Sequence, residues 1–174
     1  MSRYLFDEMS IERDVVSLLS IVNASKQNHD LLAAYLPSTG IFYSEWTLIQ
    51  ELLLQTAVKL RLIDELFWDA NKSIPYPLDS VGTLAMAGSE QALSFREACN
   101  KIIHAKDFVP QSRVERITDD YTDRAYLPNI KLIGQKGGSG WEATISVPQY
   151  CVCALKLLDE YDMSDVSCRT GDLE

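Results

Sequence analysis

Histidine is nearly missing from this 174-residue chain: His29 and His104 are the only two. A structural zinc site needs four well-spaced nitrogen or sulfur ligands. Cys151 and Cys153, even with Cys168, lack a fourth suitably placed partner, so no metal is expected. Cys151 and Cys153 are also too close in sequence to staple anything, and Cys99 falls on an apolar helical face. The expected state of the thiols is therefore reduced and packed as small hydrophobes. No apolar run approaches the roughly 18 residues of a membrane span. The first residues, MSRYLFDEMS, carry acids where a secretory signal would be basic and then apolar, and cytoplasmic localisation is expected. No G-x-S-x-G elbow is present, which argues against a serine hydrolase. Basic residues are outnumbered, 16 Lys and Arg against 25 Asp and Glu. A net charge of −9 opposes non-specific attraction to nucleic acid or anionic membrane over the surface as a whole.

What is present is an ordinary globular balance, 47% hydrophobic and 24% charged. Three- and four-residue spacing dominates the first hundred residues. Ile11, Val15, Leu18, Leu19 and Val22 share one helical face after a capping Ser10. Leu31, Leu32, Tyr35 and Leu36 suggest a second short helix, stopped at Pro37. From Ser44 to Asn71, Trp46, Ile49, Leu53, Leu60, Ile63 and Phe67 mark a long helix of about 40 Å. Residues 72–88 read as a connector rich in Pro and Gly, with a short helical turn within 80–86. Ser89 to Asp107 then reads as one helix, capped by Ser89 and buried through Ala92, Phe95, Cys99, Ile102 and Ile103. Val114 to Ile117 suggests another helical turn, and Asp119, Asp120 and Asp123 an exposed acidic turn.

At Asn129 the period changes to two. Trp141, Ala143, Ile145 and Val147 alternate with polar residues, and Ile130 to Lys136 is the matching strand. The intervening Gly137-Gly138-Ser139-Gly140 lacks the Lys-Ser/Thr ending of a phosphate loop and reads as a hairpin turn. Pro148 opens a last helix with Cys151, Ala154, Leu155, Leu158 and Tyr161 on one face. The expected fold is mainly α: a bundle of four to five helices with one β-hairpin before the C-terminal helix. It forms one domain over 1–174, with a helical core at 10–107, the hairpin at 129–147, the last helix at 148–161 and an acidic tail at 162–174.

The residues that suggest chemistry are Arg96, Asn100 and His104, at steps of four along the 89–107 helix. Each step drifts about 40°, so the three form a row at the edge of the buried stripe. The surrounding segment, 96–116, holds five basic residues against three acids and is locally positive within an acidic protein. Glu97 and Lys101 are expected to form an ordinary i, i+4 pair on a solvated face of the same helix. A histidine can move the proton of a 2′-hydroxyl, and an arginine can stabilise charge developing on a phosphate.

The passage ACNKIIHA resembles the signature helix of the HEPN (higher eukaryotes and prokaryotes nucleotide-binding) superfamily of all-helical domains. Asn100 and His104 match its Asn-x3-His portion, and Ala105 matches the small residue that follows. Cys99 stands where that family carries arginine, and Arg96, one turn earlier, is the nearest cation. The resemblance implies binding or cleavage of RNA or nucleotides in a defence or toxin–antitoxin setting. It implies either a metal-independent endoribonuclease or a catalytically inactive relative, with no cofactor. His104 would be the proton shuttle or phosphate contact, Arg96 the cation and Asn100 the orienting group. It further implies a homodimer. The alternative is a non-catalytic module whose long helix and acidic surface serve a protein partner; neither reading involves a membrane.

Overall fold

The computed structural model describes residues 8–33, 41–69, 80–117 and 122–160. Nine elements follow in order: α1 (Glu8–Ala33), α2 (Ile41–Asp69), β1 (Ser80–Met86), β2 (Ser89–Ser94), α3 (Phe95–His104), β3 (Asp107–Ile117), β4 (Thr122–Lys136), β5 (Ser139–Ser146) and α4 (Val147–Glu160). The five strands make one antiparallel sheet in the order β2-β1-β5-β4-β3. This corrects the expected helical bundle with a single hairpin. The protein is a mixed α/β fold in which β4–β5 is one pairing of several.

Four particular expectations change with it. The 80–86 segment is strand β1, and Ser89–Ser94 is strand β2, so neither is helical. The Ala87-Gly88 turn between them has both residues at positive φ, 52° and 82°, the geometry of a two-residue hairpin turn whose twist matches the strands. Val114 and Ile117 lie in β3, paired with β4 at Arg124 and Thr122. Helix α1 runs unbroken to Ala33, past the place where a second short helix was expected to begin. Leu36, the side chains of Phe67 and Trp68, Asp119, Asp120, the 162–174 tail and Cys168 lie outside the described residues.

Burial follows the sequence periods closely in the helices. Ile11, Val15, Leu18 and Val22 of α1 pack with Ile49, Leu53, Leu60 and Ile63 of α2 in one connected core. Lys59 crosses between these helices, its Nζ 2.7 Å from Asp14 and 3.2 Å from the Ser10 hydroxyl. Glu45 ties their other end, accepting from Ser25 and Asn28. The sheet adds Val81, Leu84, Leu93, Ile130, Leu132, Trp141, Ala143 and Ile145 to the same core from one face. Its other face carries Thr83, Ala85 and Glu142, the last ion-paired with Lys131 at 2.6 Å. At the join of β1 and β5, Gly82 lies so close to the Thr144 backbone that a Cβ there would overlap it.

Candidate functional site

Helix α3 is short because Ser94, in extended conformation, ends β2 and caps the helix by accepting from the Glu97 N–H. Phe95, Ala98, Cys99 and Ile102 are buried, which orients every other side chain of the helix. Just after His104, the Lys106 N–H donates to the Ile133 carbonyl at 2.8 Å. This bond binds the exit of α3 to β4 and sets the helix's last turn beside the tip of the β4–β5 hairpin.

Between them is a cleft of about 400 Å³ lined by Glu97, Asn100, Lys101 and His104 from α3, and by Gln135, Lys136 and Trp141 from the hairpin. Its wall is rigid. The Trp141 indole is 3% exposed and lies flush on Gly134, where any Cβ would overlap the ring. The Lys101 ammonium sits 4.5 Å from the Trp141 ring centroid and 3.2 Å from Glu97. Lys101 is itself 5% exposed. The i, i+4 pair expected at the surface therefore exists, with its cation drawn under the indole as a packing element.

Of the three candidate residues the structure brings two together. Asn100, half-buried, and His104, exposed, both line the cleft; Arg96 is exposed and does not. The reason is angular. Two steps of about 40° put Arg96 about 80° around the helix from His104, while Glu97 and Lys101 turn toward the hairpin. The expected cation, amide and imidazole row is thus not assembled on one site.

Lys136 and Gln135 went unnoticed in the sequence, because only the pairing of α3 with a hairpin tip some thirty residues on makes them neighbours. Gln135 accepts from the Lys106 ammonium at 2.7 Å. Asn100, His104 and Lys136 have no side-chain partner among the described residues, in contrast to Lys101, Lys106, Lys131 and Glu142, which are each engaged. A second concavity, about 450 Å³, involves Ala85, Asp107, Ile133 and Glu142 as well as Trp141. Two of its polar members, Lys106 and Glu142, are already bound to neighbours.

A further polar group lies in the core. The Cys99 thiol donates to the Tyr150 hydroxyl at 3.9 Å, and the Tyr150 hydroxyl lies 3.3 Å from Thr56 Oγ1. Thr56 in turn donates to the Leu52 carbonyl at 2.8 Å, so Tyr150 donates to Thr56. Burial pushes the Tyr150 hydroxyl well above the usual phenol range, and pushes the Cys151 thiol up to about 12. Both groups stay protonated, and a buried thiol of this kind is a packing group rather than a nucleophile. Among the described residues no cluster of three His, Cys, Asp or Glu could hold a metal. None of the described helices is long and apolar enough to cross a membrane.

No family model matches the chain, and no curated protein or solved structure is significantly similar to it. The likeness of ACNKIIHA to the HEPN signature is thus confined to α3, in a fold that is not all-helical. Neither the fold nor the comparisons point to RNA binding or to a ribonuclease, and those expectations are withdrawn.

Proposed function

We propose that this protein is a binding module, and that the α3–hairpin cleft takes the phosphate group of a small ligand of the nucleotide kind. The observation that carries this reading is that Asn100, His104 and Lys136 line one cleft and have no side-chain partner among the described residues. The amide and the ammonium are donors, and the imidazole can present a ring N–H. A phosphate offers several acceptor oxygens, and a charged acceptor strengthens each bond. Glu97 also lines the cleft, but Lys101 neutralises it. The volume lies at the small end of ligand pockets, enough for a compact ligand.

The two α3 cations nearest His104 in sequence are not available to it, and Lys136 is the cation of the cleft. Phosphodiester cleavage calls for a proton-transfer group acting with a cation on the phosphate. Arg96 is outside, and Lys101 is committed to Glu97 and Trp141.

The test is a ¹H–¹⁵N titration of side-chain amide and imidazole resonances with adenosine 5′-monophosphate, and separately with adenosine. The monophosphate is expected to move the Asn100 and His104 signals at concentrations where adenosine does not. Lys136→Met and Asn100→Ala should each weaken it about tenfold, which corresponds to about 1.4 kcal/mol. Cleft resonances that stay still in millimolar monophosphate would overturn the reading.

A further inference from the structure

Lys101 differs from Lys136 in being both buried and paired. It lines the same cleft as Asn100, His104 and Lys136, with its ammonium held against the Trp141 ring. An ammonium drawn this far from water needs an anion beside it, because a buried charge left alone is costly. Glu97 supplies that anion, with Oε1 3.2 Å from the Lys101 Nζ. The two partners are not held alike. The Glu97 side chain is 40% exposed and has no other side-chain partner among the described residues. Ser94 caps the helix through the Glu97 backbone N–H and leaves the carboxylate untouched.

We infer that the Glu97 carboxylate and the phosphate of the ligand compete for the Lys101 ammonium, so that binding exchanges one anion for the other on a cation that does not move. This deepens the phosphate reading of the cleft and rests on it. The carboxylate gives the ammonium a charged oxygen at hydrogen-bonding distance, within the concavity that Asn100, His104 and Lys136 also line. A phosphate gives it the same kind of atom, with further acceptor oxygens for those three donors. An i, i+4 pair on a helix is weak, and a glutamate this exposed can turn its carboxylate into water. Lys101 cannot follow, because the indole and the core beneath α3 fix it.

The exchange makes Lys101 a second ligand-binding cation and makes Glu97 a determinant of selectivity. A neutral ligand offers nothing that can replace a carboxylate on a buried ammonium, whereas a phosphate does, so the pair screens ligands by charge. A purely structural role for Glu97 predicts the opposite effect on binding. An acid in the first turn favours the helix dipole and steadies Lys101, so its loss would loosen the cleft and weaken the ligand. Under competition, its loss strengthens the ligand.

The test is calorimetric titration of the full chain with inorganic phosphate, unmodified and as Glu97→Gln. The glutamine keeps an acceptor oxygen for the ammonium but not the charge. Glu97→Gln should bind phosphate about tenfold more tightly, with an unchanged circular dichroism spectrum. Lys101→Met keeps an apolar stem under the indole, and in that background Glu97→Gln should change affinity by less than about twofold. In the unmodified protein, the Glu97 side-chain carboxyl ¹³C resonance should move in step with the Asn100 amide as phosphate is added. Equal or weaker binding by Glu97→Gln, an undiminished gain in the Lys101→Met background, or a Glu97 resonance that stays still while Asn100 moves would each refute the exchange and leave the phosphate reading standing. No binding of phosphate by either Glu97→Gln or the unmodified protein would refute both.

Discussion

At the scale of single residues, the cleft depends on an unusual floor. A glycine, an indole and a buried ammonium are stacked in the sequence Gly134, Trp141, Lys101. Gly134→Ala has no space for its methyl, so either the Trp141 ring moves or β4 shifts. We expect a loss of about 2 kcal/mol in stability, accompanied by a changed near-ultraviolet signal from Trp141. Urea unfolding followed by tryptophan fluorescence measures both, and an unchanged midpoint would show that the floor yields easily. The sequence revealed half of this site. Asn100 and His104 stood out because polar residues at helical spacing bordered an apolar stripe. Lys101 was read as a solvated partner of Glu97 because local spacing reports which residues are adjacent on a helix, and carries nothing about the tryptophan that comes to lie over them. Lys136 and Gln135 were illegible for the same reason.

At the scale of elements, the helices were readable and most of the sheet was not. Helices α1 and α2 bury the residues their spacing picks out. The β4–β5 turn announced itself through Gly137 and Gly138, at φ 57° and 85°. The β1–β2 hairpin hid behind two features. Its register shifts between Ser80 and Gly82, so Val81 and Leu84 are buried at a three-residue step that mimics a helix. Its edge strand, SEQALS, buries only Leu93 and is otherwise composed mainly of good helix formers. Pairing with β1 overrides that propensity, and the cap moves from Ser89 to Ser94. The turn also holds a removable strain. Ala87 occupies a left-handed conformation that Asn adopts more readily. Ala87→Asn should therefore stabilise the protein by about 0.5–1 kcal/mol. Thermal unfolding monitored by circular dichroism checks this, and a lowered midpoint would contradict it.

At the scale of the whole molecule, helices and sheet share one core, and its buried acids set an alkaline limit. Cys151 holds its proton up to about 12, against an ordinary value of 9.0. The folded state thus keeps a proton that the unfolded chain releases. Stability from this group is complete below about pH 9 and declines as pH rises toward 12, by at most about 1.4 kcal/mol per unit. Tyr150, raised by the same burial, acts in the same direction above the usual phenol range. Urea midpoints over that window should fall more steeply for the unmodified protein than for Cys151→Ala; parallel slopes would refute the assignment. The strand order has a consequence during synthesis. β1 and β2 are neighbours in sequence, and β3, β4 and β5 follow as a separate meander, but the second neighbour of β1 is β5, along Gly82–Met86 against Trp141–Ile145. Because β5 is the last strand in sequence, β1 is expected to keep a bare edge on the ribosome until the whole sheet has been translated. In that interval the nascent chain is most open to capture by a chaperone or by another unfinished copy.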